Sequence, residues 1–93
     1  MLLLVTIDLA EADLALFDRY EAQVLPLLGL HGGRLEFRVR ATDRRSETHL
    51  LAFPDEAAFQ AFLADPVRQD LRTDWTACGA KAGVVEVERL AGT

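Results

Sequence analysis

Hydrophobic and polar residues alternate along the chain in patterns that predict both strands and helices. Leu2 to Asp8 is a short apolar run with β-branched residues, which is typical of a buried strand. From Ala12 to Leu30, apolar residues recur every three or four positions and predict an amphipathic helix, whose regular part should end near Leu25 because Pro26 follows. His31-Gly32-Gly33 should cap it, with a glycine in the left-handed conformation and His31 at the negative end of the helix dipole.

The second half of the chain repeats strand and helix signals. Gly33 to Arg40 alternates strictly and predicts a strand, Ala41 to Ser46 has the length of a hairpin connection, and Glu47 to Phe53 predicts a third strand. Asp55 is a good N-cap for a helix, and a further helical segment should run from Pro66 to about Trp75.

The last part of the pattern completes a known order of elements. Thr76 to Gly83 is small and flexible in composition, Val84 to Arg89 predicts the final strand, and the tail Leu90 to Thr93 is expected to fray. The order β-α-β-β-α-β predicts an α+β, ferredoxin-like fold over residues 1–93 as one domain, with a four-stranded antiparallel sheet and two helices on one face.

The predicted sheet leaves one face without helices. The first and third strands are apolar on both faces, although the helices can cover only one of them. We therefore expect a homodimer formed through the sheet faces, burying at least ~1,200 Å² in total.

Charge and cysteine content narrow the classes of function. The net charge is −5 and the acidic residues are spread along the chain, which argues against nucleic-acid binding. Cys78 is the single cysteine, so no disulfide can form within the chain, and a free thiol suits a reducing compartment. The N-terminal run lacks a positive region and no apolar run is long enough to span a membrane, so we expect a cytoplasmic protein without membrane contacts.

The strand Gly33 to Arg40 has two different faces and carries the first functional candidates. Strict alternation places Leu35, Phe37 and Val39 on one face, which we expect under the helices of the same subunit. Arg34, Glu36, Arg38 and Arg40 share the other face. This charged face either lines a cavity, where Arg34 and Arg38 would bind an anionic or enolate-like ligand, or lies solvated at a sheet edge.

His49 is the candidate acid–base residue by its side-chain type, with Glu36 as a second candidate. If Arg38 pairs with His49 in the hairpin, both side chains share a face, whereas a slip of one residue separates them and leaves His49 structural. Trp75 could cap a ligand pocket or serve only in packing. The two histidines lie on different elements and no phosphate loop is present, so we expect no metal site and no cofactor.

Several short motifs together resemble the dimeric α+β barrel superfamily. They are Phe17-Asp18-Arg19-Tyr20 leading to Pro26-Leu27-Leu28, His31-Gly32-Gly33-Arg34, Phe53-Pro54, Glu56-Ala57-Ala58-Phe59, and Asp65-Pro66 with Gln69. Within that superfamily the chain is similar to small bacterial proteins of uncharacterised function. It departs from relatives at Ala52, where they often carry a carboxylate, and at Val67-Arg68, where they often carry an aromatic residue.

The resemblance implies two ferredoxin-like subunits whose sheets pack into a barrel, and it favours the slipped register, with Leu51 and Phe53 facing the helices. The superfamily includes antibiotic-biosynthesis monooxygenases that need no cofactor, muconolactone isomerases and haem-handling proteins. Three functions stay open: a homodimer that binds a small organic molecule, a cofactor-independent monooxygenase or isomerase acting on an activated aromatic or lactone, and a structural dimerisation module.

Overall fold

A computed structural model describes residues 1–92; the predicted fraying of Thr93 lies outside the described residues. The strands are β1 (Leu2–Asp8), β2 (Arg34–Arg40), β3 (Ser46–Ala52) and β4 (Lys81–Val87). They form one antiparallel sheet in the order β2-β3-β1-β4. The helices are α1 (Leu14–Val24), α2 (Glu56–Leu63), α3 (Pro66–Asp70) and α4 (Arg72–Cys78), with a 3-10 segment at Leu25–His31. The ferredoxin-like α+β prediction is confirmed.

Helix α1 forms as its sequence pattern predicts. Asp13 caps it by accepting a hydrogen bond from the Leu16 backbone N–H at 3.1 Å, so the helix begins two positions after the predicted Ala12. Pro26 falls at the start of the 3-10 segment, where its missing N–H costs no helical hydrogen bond. Gly32 then ends the segment with a φ of 74°, in the left-handed conformation.

The C-terminal third corrects two predicted boundaries. The helical segment predicted from Pro66 to Trp75 is two short helices, and α4 continues to Cys78 before Gly79 ends it with a φ of 79°. Strand β4 begins at Lys81, so the flexible stretch predicted for Thr76 to Gly83 is wrong. Small residues can extend an edge strand when a neighbour supplies the hydrogen bonds, and here β1 does so, with Gly83 opposite Thr6.

A β-bulge in β2 overturns the predicted faces of that strand. Leu35 pairs with Leu51 but Phe37 pairs with Leu50, so Glu36 is an extra residue in the ladder. Beyond the bulge every side chain changes face relative to strict alternation. Phe37 and Val39 therefore lie on the face without helices, whereas strict alternation predicts them under the helices.

The same bulge decides the hairpin register. Arg38 pairs with His49 and Arg40 pairs with Glu47, so the slipped register is wrong. Leu51 and Phe53 are nevertheless buried in the core with the helices, as the resemblance implied. The bulge moves Arg38 and Arg40 to the helix face of the sheet. They therefore lie on the same face as their partners His49 and Glu47 and as Leu51.

The core lies between the sheet and the helices. Leu3, Leu51, Phe53 and Phe62 form one part of it, and Ile7, Phe17 and Cys78 form another. The opposite side of the sheet, here called the open face, carries Leu2, Leu4, Phe37, Val39, Leu50 and Val85. Within residues 1–92 no helix is long and apolar enough to cross a membrane.

Candidate ligand-binding cavity

A cavity of about 320 Å³ lies between the helices and the helix face of the sheet. This volume is at the small end of the range found for pockets that hold organic ligands. Most of its lining is apolar, with aromatic side chains from α1, α2 and α4: Tyr20, Phe59, Phe62 and Trp75. Four lining residues are ionisable besides Tyr20: Glu21, His49, Arg68 and Arg72.

Trp75 links the cavity wall to the core. Its ring centroid lies 5.2 Å from that of Tyr20 and 6.4 Å from that of Phe17, in tilted arrangements typical of aromatic clusters. The side chain is half-buried and lines the cavity. Trp75 therefore packs against α1 and also lines the cavity.

Glu21 is a buried carboxyl group in the cavity wall. The residue is only 5% exposed, and no hydrogen-bond partner for its carboxyl group is found among residues 1–92. Burial raises the pKa of Glu21 to about 7, and the Arg38 charge only partly opposes this. At neutral pH the group is therefore divided between its acid and its carboxylate form, as a proton carrier requires.

Sequence reasoning missed Glu21 as a functional candidate because a glutamate on a surface helix is usually solvated. The signal that could have found it is its spacing. Phe17, Glu21, Val24 and Leu28 follow the i, i+4, i+7, i+11 rule and so share the buried stripe of the helical segment.

His49 lines the cavity and is held by a buried carboxylate. Its Nε2 lies 2.6 Å from Oε2 of Glu47, a residue that is 2% exposed. Burial raises the pKa of Glu47, but hydrogen bonds from His49, Arg38 and Arg40 outweigh it and leave the pKa below its usual value. An ionised carboxylate only accepts hydrogen bonds, so Nε2 of His49 carries a hydrogen and a neutral ring has its lone pair on Nδ1.

The predicted charged face of β2 is split by the bulge. Arg38 Nε and Arg40 Nε donate to Glu47 at 2.9 and 2.8 Å, and Arg40 also pairs with Asp18 on α1. Arg38, predicted as a ligand-binding residue, thus lies on the helix face but serves Glu47 and does not line the cavity. It supports His49 through that carboxylate.

Arg34 and Glu36 are not brought to the cavity. Arg34 Nη2 lies 2.7 Å from Oε1 of Glu36, and Arg89 approaches the other carboxylate oxygen at 3.6 Å. The side chain of Arg34 is 77% exposed. Of the five candidates from sequence, His49 and Trp75 therefore line the cavity. Arg38 does not line it but contacts Glu47, the partner of His49. Arg34 and Glu36 form an ion pair outside the cavity.

Helix α3 contributes Arg68 to the cavity lining and is fixed at its start by a buried carboxylate. Asp65 accepts hydrogen bonds from the backbone N–H groups of Val67 and Arg68 and lies 2.7 Å from His31 Nε2. The hydrogen bond from His31 lowers the pKa of Asp65. His31 therefore does more than complement a helix dipole, because it ties the 3-10 segment to α3. Among residues 1–92 no group of three His, Cys, Asp or Glu side chains could hold a metal ion.

The chain is similar in structure to several solved proteins. SnoaB, a cofactor-independent oxygenase from Streptomyces nogalater, superposes with a TM-score of 0.76 at 18% identity, covering 99% of this chain and 97% of SnoaB. A candidate antibiotic biosynthesis monooxygenase from Nitrosomonas europaea gives 0.69 at 11% identity, covering 94% and 98%. An uncharacterised NIPSNAP domain protein from Burkholderia xenovorans gives 0.66 at 14% identity over the full length of both chains.

At these identities the likeness is one of fold. No protein-family model matches the chain, and no curated protein matches it either. The chain therefore has the ferredoxin-like α+β fold of the antibiotic-biosynthesis-monooxygenase-like proteins.

Proposed function

We propose that the cavity binds a small aromatic molecule and that His49 and Glu21 move a proton on it. The observation that carries this proposal is a buried carboxyl group with a pKa near neutrality, facing an aromatic cavity that also contains a histidine held by Glu47. A core built only for stability would not leave such a carboxyl unpaired, because burying it costs free energy without a compensating contact.

The proposed roles follow from the geometry. Glu47 keeps the hydrogen on Nε2 of His49, so the lone pair on Nδ1 is available to remove a proton from the substrate. Glu21 in its acid form can donate a hydrogen bond to the oxygen on which negative charge develops. Trp75 and Tyr20 orient the ring, and the apolar lining excludes water from the anion that forms.

The reaction that this site suits best is oxygenation of an activated aromatic without a cofactor, the activity named for SnoaB. Removal of a proton from an electron-rich ring system gives a carbanion that can react with molecular oxygen directly. For a methylene group between two rings, one oxygen atom becomes a carbonyl oxygen on that carbon. The second oxygen atom leaves as water with the two hydrogens.

Oxygen uptake with anthrone tests this function, because its methylene group is acidic and lies between two fused rings. We expect uptake above the spontaneous rate, with a loss of about 100-fold in kcat for His49→Gln, the scale typical of a lost general base. Glu86→Gln is the control, since Glu86 is exposed on β4 and does not line the cavity. Uptake that is no faster than the spontaneous rate, or that is unchanged in His49→Gln, would refute the proposal.

We also propose that the chain acts as a homodimer through its open face. Phe37 and Val85 are 41% and 61% exposed there, next to the apolar Leu4 and Leu50. Exposed apolar sheet faces of this kind are characteristic of interfaces between subunits. Cys78 is a buried free thiol, which fits the cytoplasmic compartment that we propose.

A further inference from the structure

Arg68 is a cation in the cavity wall without a carboxylate partner. Its Nη1 donates to the backbone oxygen of Leu63 at 3.2 Å, and its guanidinium carbon lies 5.3 Å from the centroid of the Phe62 ring. Its Nε is buried and has no hydrogen-bond partner among the residues that the structure describes. The stacking on Phe62 and the bond to Leu63 hold the group in place, yet nothing in residues 1–92 neutralises its charge.

The carboxyl groups near Arg68 are not available to pair with it. Asp65 is occupied by His31 and by the backbone of α3. Glu21 faces the same cavity, but burial favours its uncharged form below about pH 7. Arg72, an exposed residue that also lines the cavity, adds a second cation. In mildly acidic solution the ionised side chains of the cavity lining are thus cationic.

The Nη2 end of the Arg68 guanidinium is free to bind a carboxylate. Nη1 is engaged by Leu63 and Nε is buried, whereas Nη2 has no partner within residues 1–92 and is not buried. A carboxylate oxygen on Nη2 would accept a charge-assisted hydrogen bond. An apolar cavity strengthens such a pair because water competes less for both charges.

We propose that the cavity takes an aromatic carboxylate, whose anionic group binds Arg68 while its ring contacts Trp75 and Tyr20. This inference rests on the proposed function, because it names the substrate class of the same site. Arg68 is a binding and specificity residue in this account. The reacting carbon of the ring system lies toward His49, at the sheet side of the cavity.

Equilibrium binding of a matched pair of probes tests the inference without any need for turnover. The pair is 1-hydroxy-2-naphthoate and its methyl ester, which share the ring system but differ in charge. Binding is followed at about pH 6, where Glu21 is largely protonated, by quenching of Trp75, the single tryptophan. The wild type should bind the acid about tenfold or more tightly than the ester, the scale of one charge-assisted hydrogen bond.

Variants then show which residue causes the preference for the acid over the ester. In Arg68→Gln the acid and the ester should bind within about twofold of each other, with the affinity for the ester unchanged; Arg68→Lys should retain part of the preference. Arg45→Gln is the control, because Arg45 lies with Lys81 in a separate shallow groove at the end of the sheet. That variant should keep the full preference.

The outcomes separate this inference from the function on which it rests. If the wild type binds the ester as well as the acid, the inference is overturned and the aromatic site stands. The inference is also wrong if Arg68→Gln keeps the preference or if Arg45→Gln abolishes it. If neither probe quenches Trp75, both the inference and the proposed function fail. Should Arg68→Gln not fold, the wild-type ratio and the Arg68→Lys variant decide the question.

Discussion

At the scale of single residues, the site depends on two buried glutamates whose pKa values are shifted in opposite directions. Burial raises one, and hydrogen-bond partners lower the other. Glu47 receives hydrogen bonds from two arginines and from His49, and its pKa falls. Glu21 has no such partners among residues 1–92, and its pKa rises to about 7. Two carboxyl groups with separated pKa values are the usual arrangement in a site that holds one charge fixed and moves one proton.

Composition does not distinguish these two glutamates, and the sequence pattern singled out neither of them. What distinguishes them is the position of the arginines, which the bulge in β2 determines. His49 could be chosen by side-chain type alone, and Trp75 by its size. Strict alternation places Glu36 on the same face as Arg38, but Glu36 is itself the extra residue of the bulge and pairs with Arg34.

The raised pKa of Glu21 predicts how stability depends on pH. Between about pH 4.5 and 7 the folded chain holds a proton on Glu21 that the unfolded chain has lost. Stability should therefore fall by about 3 kcal/mol as the pH rises through this range, and then level off. Glu21→Gln cannot ionise and should remove this fall, so that it unfolds at a higher temperature than the wild type at pH 8. Thermal melts between about pH 5 and 8 measure it. Parallel profiles for the two proteins would contradict the account.

The lowered pKa of Glu47 predicts the opposite dependence at acid pH. Its contribution to stability is present above its unfolded pKa and is lost as the pH falls through the lower folded value. Glu47→Gln should destabilise the fold by about 2 kcal/mol at pH 7, less than a fully buried pair would, because Arg38 and Arg40 are partly exposed and can be hydrated. Urea unfolding with Glu11→Gln as an exposed control measures this. A change under about 0.5 kcal/mol would contradict it.

At the scale of elements, periodicity predicted their order but could not predict the bulge. Strict alternation in Leu35 to Val39 gives no sign of an extra residue, because the apolar side chains of this strand could be buried on either face of the sheet. The ladder is decided by the cross-strand partners within the hairpin, chiefly the pairing of Arg40 with Glu47 and of Phe37 with Leu50. The early start of β4, at Lys81 and not at the predicted Val84, was likewise hidden by small residues with weak strand propensity.

The junction of the 3-10 segment and β2 predicts a sharp contrast between two glycines. A Cβ on Gly33 would lie 2.7 Å from Cε1 of Phe53 and 3.1 Å from the backbone oxygen of Leu28. Gly33→Ala should therefore destabilise the fold by about 2 kcal/mol through overpacking. Gly29→Ala is the matched control, since nothing lies within 4 Å of its Cβ position, and it should be neutral. Denaturant midpoints compare the two, and equal effects would contradict this packing.

At the scale of the whole molecule, the two functions that we propose lie on opposite faces of the sheet. The helix face carries the cavity and its ionisable groups, and the open face carries the apolar side chains that we assign to the dimer. The helix-free face could be predicted from the sequence, because β1 and β3 are apolar on both sides. The cavity could not, since it depends on how α1, α2 and α4 pack above the sheet.

The dimer proposal predicts that one charge on the open face separates the subunits. Val85→Asp should convert a dimer of the wild type into a monomer, because an aspartate opposite Leu4 would be buried without a partner. Val67→Asp is the matched control on α3, where the side chain is exposed to a similar degree but lies away from the sheet. Light scattering on eluted peaks gives the masses. A monomeric wild type, or a Val85→Asp variant that stays dimeric, would refute the proposal.

The central claim is that the cavity above the sheet, and not the open face, is the ligand site. A crystal structure of the protein with 1-hydroxy-2-naphthoate tests it most directly. The account predicts the ring in the cavity, in contact with Tyr20 and Trp75, and with His49 at its edge. A ring bound on the open face or between subunits, or a cavity that stays empty at saturating probe, would contradict the claim.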